Sequence, residues 1–280
     1  MQAVPTPSES AALCACVRRA ALVILCLCDP ADKAARSREL HERASGGAAS
    51  IEPEAYLAEP GDLPGRPAQS SLNRRSMQSD ASPAVLLHAL AHIEFNAINL
   101  ALDAVWRFPS MPVDFYLDWL KVAAEEVHHF SLLNARLAEF GHAYGDFPAH
   151  DGLWEMAQRT SADVLARMAL VSRTLEARGL DALLPIRKRL AQAGDHASAA
   201  ILDVILRDEI GHVLIGNRWF RFLCDTAGLD PHPAYERLGA QYHAPKLRAP
   251  FNFEARRDAG FDEAELGALA GLDGDAERAD

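Results

Sequence analysis

The chain has 280 residues, 49% hydrophobic and 24% charged, an ordinary balance for a globular protein with room for a substantial core. A net charge of −11 argues against a nucleic-acid partner or an anionic membrane surface, since both call for a basic face. Basic clusters at Arg74-Arg75, Arg187-Lys188-Arg189 and Arg256-Arg257 leave a small polyanionic substrate open.

Five cysteines, Cys14, Cys16, Cys26, Cys28 and Cys224, are odd in number and lack framework spacing, so they do not describe a secreted disulfide scaffold. They read as small hydrophobes in a reducing compartment. Arg18-Arg19 and the apolar run Ala20 to Cys28 have the outline of a signal peptide. That run is short, however, and Asp29-Pro30 follows it where a small-residue cleavage site would stand. No other stretch is read as bilayer-spanning, and a cytoplasmic location is expected.

Residues 8–44 predict two short helices broken at Asp29-Pro30, because proline cannot continue a helix interior. Between Ser45 and Asp80, glycines and prolines mark an irregular connector. Ser82-Pro83 then starts the first of four long helical patterns, with serine as N-cap and proline at the first helical position. The first pattern runs to Arg107 and the second from about Pro112 to Gly141. A third spans Gly152 to Arg178 with Gly179 as its stop, and a short helical piece covers Asp181 to Gln192. The fourth begins at Gly194-Asp195 and ends near Gly228. Apolar residues recur at three- and four-residue spacing throughout, with no convincing strand alternation. The expected fold is all-α: a four-helix bundle over 81–228, an N-terminal helical extension and connector over 1–80, and an ordered, irregular C-terminal tail over 229–280. Residues 273–280 are expected to fray.

The chemistry lies in a repeated constellation. The second helix carries Glu126-Val127-His128-His129 and the fourth Glu209-Ile210-Gly211-His212. A glutamate and a histidine three residues apart lie one turn apart on one helix face, so both side chains reach the same metal ion. One such pair is a weak signal, and Glu139-x-x-His142, beside Gly141, is read as a helix-end histidine. The signal strengthens with one acid in the middle of the first helix, Glu94, and one in the third, Glu176, which complete the ligand set of a two-metal bundle site. Glu94 precedes Glu126 by 32 residues and Glu176 precedes Glu209 by 33, which makes the two hairpins a pseudo-repeat.

The flanks are apolar. Leu90, Ala91, Ala97 and Ile98 surround Glu94; Ala169 and Ser172 share the face of Glu176. Trp119, Val122, Ala123, Phe130 and Leu133 flank Glu126, and Leu202, Ile205, Leu206, Val213 and Gly216 flank Glu209. Uncompensated carboxylates there would cost several kcal/mol each, so divalent cations are expected. Two iron ions are the expected cofactor, with manganese or a mixed pair left open by the ligand types. Glu94, Glu126, His129, Glu176, Glu209 and His212 are the candidate metal ligands, and the four glutamates among them the candidate catalytic groups. Asp208 and Glu125, each preceding a ligand glutamate, are expected to accept from the free ring nitrogens of His129 and His212 respectively. His128 lies off the metal face. His88, His92, Asn99 and Asp103 form a polar stripe on the first helix, read as interhelical hydrogen bonding. The loop from Gly141 to Asp151 is a candidate lid or substrate wall.

The segments Ala89-Leu90-Ala91-His92-Ile93-Glu94, Ala124 to Phe130, Ala143 to His150, Leu175 to Asp181, Asp208 to His212 and Pro250-Phe251-Asn252 resemble a bacterial family of ferritin-like proteins known as a domain of unknown function. That resemblance covers nearly the whole chain and implies a ferritin-like bundle with the six ligands named above. A more distant resemblance to ferritin-like tRNA hydroxylases implies oxygen-dependent hydroxylation.

The leading expectation is therefore a di-iron oxidoreductase that oxidises or hydroxylates a small organic substrate with O2. An iron-handling ferroxidase or peroxide scavenger and a metal-stabilised interaction module are the alternatives. The oligomeric state is left open, a dimer included.

Overall fold

The computed structural model describes residues 16–58, 82–149 and 152–277. Cys14, the connector residues 59–81 with Arg74-Arg75, the loop end His150-Asp151 and the last three residues lie outside the described residues. Two compact units follow one another along the chain, Met1–Asp151 and Gly152–Asp280. All regular structure among the described residues is helical, as expected, apart from an isolated parallel bridge between Cys16 and Ser50.

In the first unit, α1 (Val17–Leu25) and α2 (Pro30–Ser45) are separated where Asp29-Pro30 predicts a break. Asp29 caps α2, its carboxylate accepting from Asp32 N at 2.8 Å, and Pro30 opens the helix. Ser82 does the same for α3 (Pro83–Arg107), accepting from Val85 N. A short turn through Ser110 leads to α4 (Val113–Glu139). α3 pairs with α4 in the most extensive helix contact of the chain, while α1 packs on α3 and α2 on α4.

Two buried cations fasten α1 and α2 to this hairpin. Arg18 donates to the carbonyls of Trp106 at 2.7 Å and Val105 at 3.4 Å, satisfying the last turn of α3, whose carbonyls have no partner within the helix. It also donates to Pro53 O at 3.0 Å and Glu52 O at 3.2 Å. Lys33 donates to Leu25 O at 3.0 Å and to Asn99 Oδ1.

Contrary to the expectation of no bilayer-length stretch, α3 is long and apolar enough to cross a membrane, but 83% of its most apolar window is buried inside the protein. A helix that is apolar nearly all round belongs either in a membrane or in a core. Here its polar residues His88, His92, Glu94, Asn96, Asn99 and Asp103 are buried with it.

The second unit departs from the expected single helix over Gly152 to Arg178. α5 (Gly152–Arg159) ends at a turn, Asp163 caps the short α6 (Val164–Arg167) through Ala166 N at 3.0 Å, and residues Met168–Leu175 continue as a π-helical segment. Glu176 N donates to Val171 O, five residues back, and Thr174 Oγ1 donates to Ala169 O at 2.7 Å. α7 (Ala177–Gln192) passes through Gly179 rather than stopping there. A glycine inside a helix costs about 1 kcal/mol relative to alanine, a weak signal that packing overrides. α8 (His196–Thr226) is capped by Asp195 on Ser198 N at 3.0 Å.

α8 meets the π segment closely. A Cβ placed on Gly216 would stand 2.8 Å from Ser172 Cβ and 3.1 Å from its carbonyl carbon and oxygen, so only glycine permits this approach. Beyond α8, the expectation of an irregular tail is corrected: α9 (Pro231–Gln241), α10 (Phe253–Asp258) and α11 (Glu263–Glu277) make it largely helical. Asp230 and Asn252 cap α9 and α10. Proline and aromatic residues in that stretch mark helix starts and contacts rather than irregular chain. The last of these helices runs to Glu277.

Candidate metal centre

In the first unit, Glu94 on α3 and Glu126 with His129 on α4 converge. Their side chains are buried: Glu94 is 3% exposed, Glu126 1% and His129 0%. His129 Nδ1 lies 3.2 Å from Glu94 Oε2 and 3.3 Å from Glu126 Oε2. One donor atom from each of the three lies within 4.8 Å of the others. The flanking Leu90, Ala91, Ile98, Trp119, Ala123 and Phe130 are buried as well, so the polar atoms meet in an apolar core.

The electrostatics follow. Burial alone would push His129 down, yet the hydrogen bonds to Glu126 and Glu94 and their charges reverse this and hold it up at about 11. Without metal, the two carboxylates favour a proton on the His129 ring. Deprotonated imidazole and carboxylates are ligands that a divalent ion competes for against that proton, so the donor set fits a metal.

In the second unit the same register recurs on α8. His212 is fully buried and Glu209 is 7% exposed, with His212 Nδ1 3.7 Å from Glu209 Oε1. A Cβ on Gly179 would lie 3.8 Å from Glu209 Oε2, so the Glu209 carboxylate rests over the face of α7 one turn beyond Glu176. Glu176, half-buried, follows directly on the π segment. Each unit thus presents one glutamate from one helix and a Glu-x-x-His from its neighbour.

The residues expected to orient the histidines carry basic partners on their own helices. Glu125 pairs with Lys121 at 3.5 Å, and Asp208 takes Arg207 at 2.8 Å. His128 is exposed, in keeping with its place off the metal face. Glu139 is paired to Arg136 and His142 to Asp146 at 3.6 Å, both at an exposed helix end. A further cluster, His232, Asp262 and Glu265, is largely exposed. Its acids are engaged by His232 at 2.9 Å and by Arg173.

The polar stripe of α3 hydrogen-bonds as expected, but much of it holds the Gly141 loop rather than another helix. His92 Nδ1 and Tyr144 Oη are 2.9 Å apart, and His92 Nε2 lies 3.0 Å from Asn96 Nδ2. Gly145 N donates to His88 Nε2 at 2.9 Å. Tyr144 packs its ring on Phe130 and Phe95 at 5.0 and 5.3 Å, the neighbours of His129 and Glu94 in sequence. Asn96 escaped the sequence reading. Its spacing of four from His92 was the available signal.

Fold and site define the class: an all-α protein with a buried Glu94, Glu126 and His129 cluster that could hold a metal, and a second Glu-x-x-His on α8. The family described as "Protein of unknown function (DUF455)" matches residues 26–267, and the chain belongs to it. An uncharacterized protein of Haemophilus influenzae is 49% identical over 206 residues, covering 71% of this chain and 72% of that protein. No solved structure matches the chain.

Proposed function

We propose that the two sets hold two metal ions, and that the protein is a ferritin-like di-iron oxidoreductase acting with O2 on a small organic substrate. The observation that carries this reading is the convergence of Glu94 and Glu126 on His129 Nδ1 inside an apolar core, with the same register repeated at Glu176, Glu209 and His212. Six ligands of this composition, four carboxylates and two imidazoles, are the set that bundle proteins use for two ions.

Two ferrous ions, when bound, would supply the electrons with which O2 is activated toward the substrate. The chain's own groups do the rest. Glu94, Glu126, Glu176 and Glu209 would neutralise the cations, and His129 and His212 would each give a ring nitrogen. Glu125 and Asp208 are assigned to hold the other ring nitrogens in place, as carboxylates commonly do for ligating histidines. Trp119, Phe95 and Phe130, all buried, keep bulk water from the carboxylates of the first unit. Access for substrate is assigned to the loop carrying Tyr144, which His88 and His92 pin.

Elemental analysis of protein expressed with ample iron tests the reading. About two iron atoms per chain, falling well below that in Glu126→Ala, is the expected result, followed by a search for substrates that stimulate oxygen consumption. No bound metal, or a single zinc, overturns it.

A further inference from the structure

The second unit contains a cavity of about 210 Å³ apart from the residues assigned to metal. Its walls are mostly apolar: Tyr235, Leu247, Phe261, Ala268, Leu269 and Leu272. Two arginines also line it, and both are almost entirely buried: Arg173 at 4% and Arg256 at 1% exposure. Such residues are rarely buried unless their charge is answered.

The answer here is incomplete. Arg173 donates through Nε to Asn217 Oδ1 at 2.6 Å and through Nη2 to Glu265. Arg256 donates through Nε and Nη2 to Asp181 at 2.9 and 2.7 Å, and through Nη2 also to Ala177 O at 3.4 Å. Neither Nη1 group makes a hydrogen bond among the described residues, although a guanidinium offers five N–H donors. Charge is short as well. Glu265 is shared by Arg173 and Arg221, the latter at 3.6 Å, and Asp181 by Arg256 and Arg178, the latter at 3.5 Å. Four guanidiniums share these two carboxylates, with Asp262 the further acid whose charge acts on Arg173. Of the other ionisable groups on the wall, His232 is taken by Asp262 and Glu236 is solvent-exposed. Both buried guanidiniums stand over the Phe261 ring, at 4.9 and 5.1 Å from its centre.

We propose that this cavity binds a small organic carboxylate, its anionic head held by Arg173 and Arg256 and its apolar body by the Tyr235, Phe261 and leucine walls. Planar guanidinium forks match carboxylates and give strong charge-assisted hydrogen bonds. Size sets the class. A cavity of about 150 Å³ holds benzene, so this one takes a single ring with a carboxylate, or an aliphatic acid of similar bulk. Burial pushes Arg173 down to about 10. Thr174 lines the same cavity, and its hydroxyl is 2.9 Å from Tyr235 Oη. It lies in the π-helical segment, a feature often found at functional sites, two residues before Glu176.

The test is titration calorimetry of the full chain with phenylacetate and with phenylacetamide, its neutral analogue. Because the arginines are part of the core, the location is checked with Ala268→Trp, which adds bulk at an exposed wall position and leaves both arginines intact. Phenylacetate is expected to bind one per chain with Kd below about 1 mM, phenylacetamide about tenfold more weakly, and Ala268→Trp is expected to lose phenylacetate binding while melting as the parent does. Equal affinity for acid and amide, undiminished binding to a folded Ala268→Trp, or no binding at all would each overturn the proposal. Since no metal takes part, the result is independent of the iron analysis.

Discussion

His129 Nδ1 is as close to Glu94, on the neighbouring helix, as to Glu126, one turn away on its own: 3.2 and 3.3 Å. A histidine shared in this way ties the two helices together in the metal-free protein and is a candidate metal ligand. Its replacement by leucine takes the cation from between two buried carboxylates, and breaking a buried charge cluster typically costs about 3–5 kcal/mol. Denaturant unfolding of metal-free His129→Leu should show a loss of that size. A loss under about 1 kcal/mol would place the cluster in solvent-like surroundings.

Gly216 and Gly211 lie on the same helix and should respond oppositely to alanine. At Gly216 a methyl meets Ser172 at 2.8 Å with backbone atoms at 3.1 Å, and overpacking of this kind costs about 1–3 kcal/mol. At Gly211 nothing lies within 4 Å, so alanine should stabilise by up to about 1 kcal/mol through helix propensity. Thermal unfolding of the two variants checks the pair.

Arg18 should be among the least replaceable residues outside the candidate centre. Its guanidinium serves carbonyls of α3 and of residues 52–55, and each buried acceptor left without a donor costs about 1–3 kcal/mol. Arg18→Met, similar in length but without donors, is expected to lower stability by about 3 kcal/mol or more on the same scale, read from chemical denaturation.

His88 gives the Gly141 loop a pH dependence. Burial pushes its imidazole below the ordinary 6.5, opposed by the charge of Asp146, and the neutral ring accepts from Gly145 N–H. An imidazolium cannot accept. With the folded value lowered, the unfolded chain binds more protons in the window just below pH 6.5, so the contribution is complete above that pH and is lost as pH falls toward the folded value. The Gly145 amide should exchange faster with solvent as pH drops through this window, after correction for intrinsic exchange rates. In His88→Ala the step should vanish.

Much of the all-α architecture was legible because its signals are local. Asp29-Pro30 and Ser82-Pro83 state their caps in adjacent residues, and the observed helix starts at Pro30 and Pro83 follow them. The Glu-x-x-His register was legible for the same reason: a three-residue spacing fixes a shared helix face whatever surrounds it. Gly179 misled because glycine is only a weak helix breaker, and the tail misled because three short helices with capped starts resemble loops in composition.

The sequence by itself determined the helical periods, the caps, and the carboxylate and imidazole groups that could bind metal, since each depends on residues within a turn or two of one another. Only the tertiary structure decided that His129 lies between Glu94 and Glu126, that α3 is a core helix despite its apolar length, that residues 168–175 wind as a π segment against Gly216, and that Arg173 and Arg256 line one cavity. Those outcomes join residues far apart in the chain, and no local spacing encodes a distance that packing alone sets.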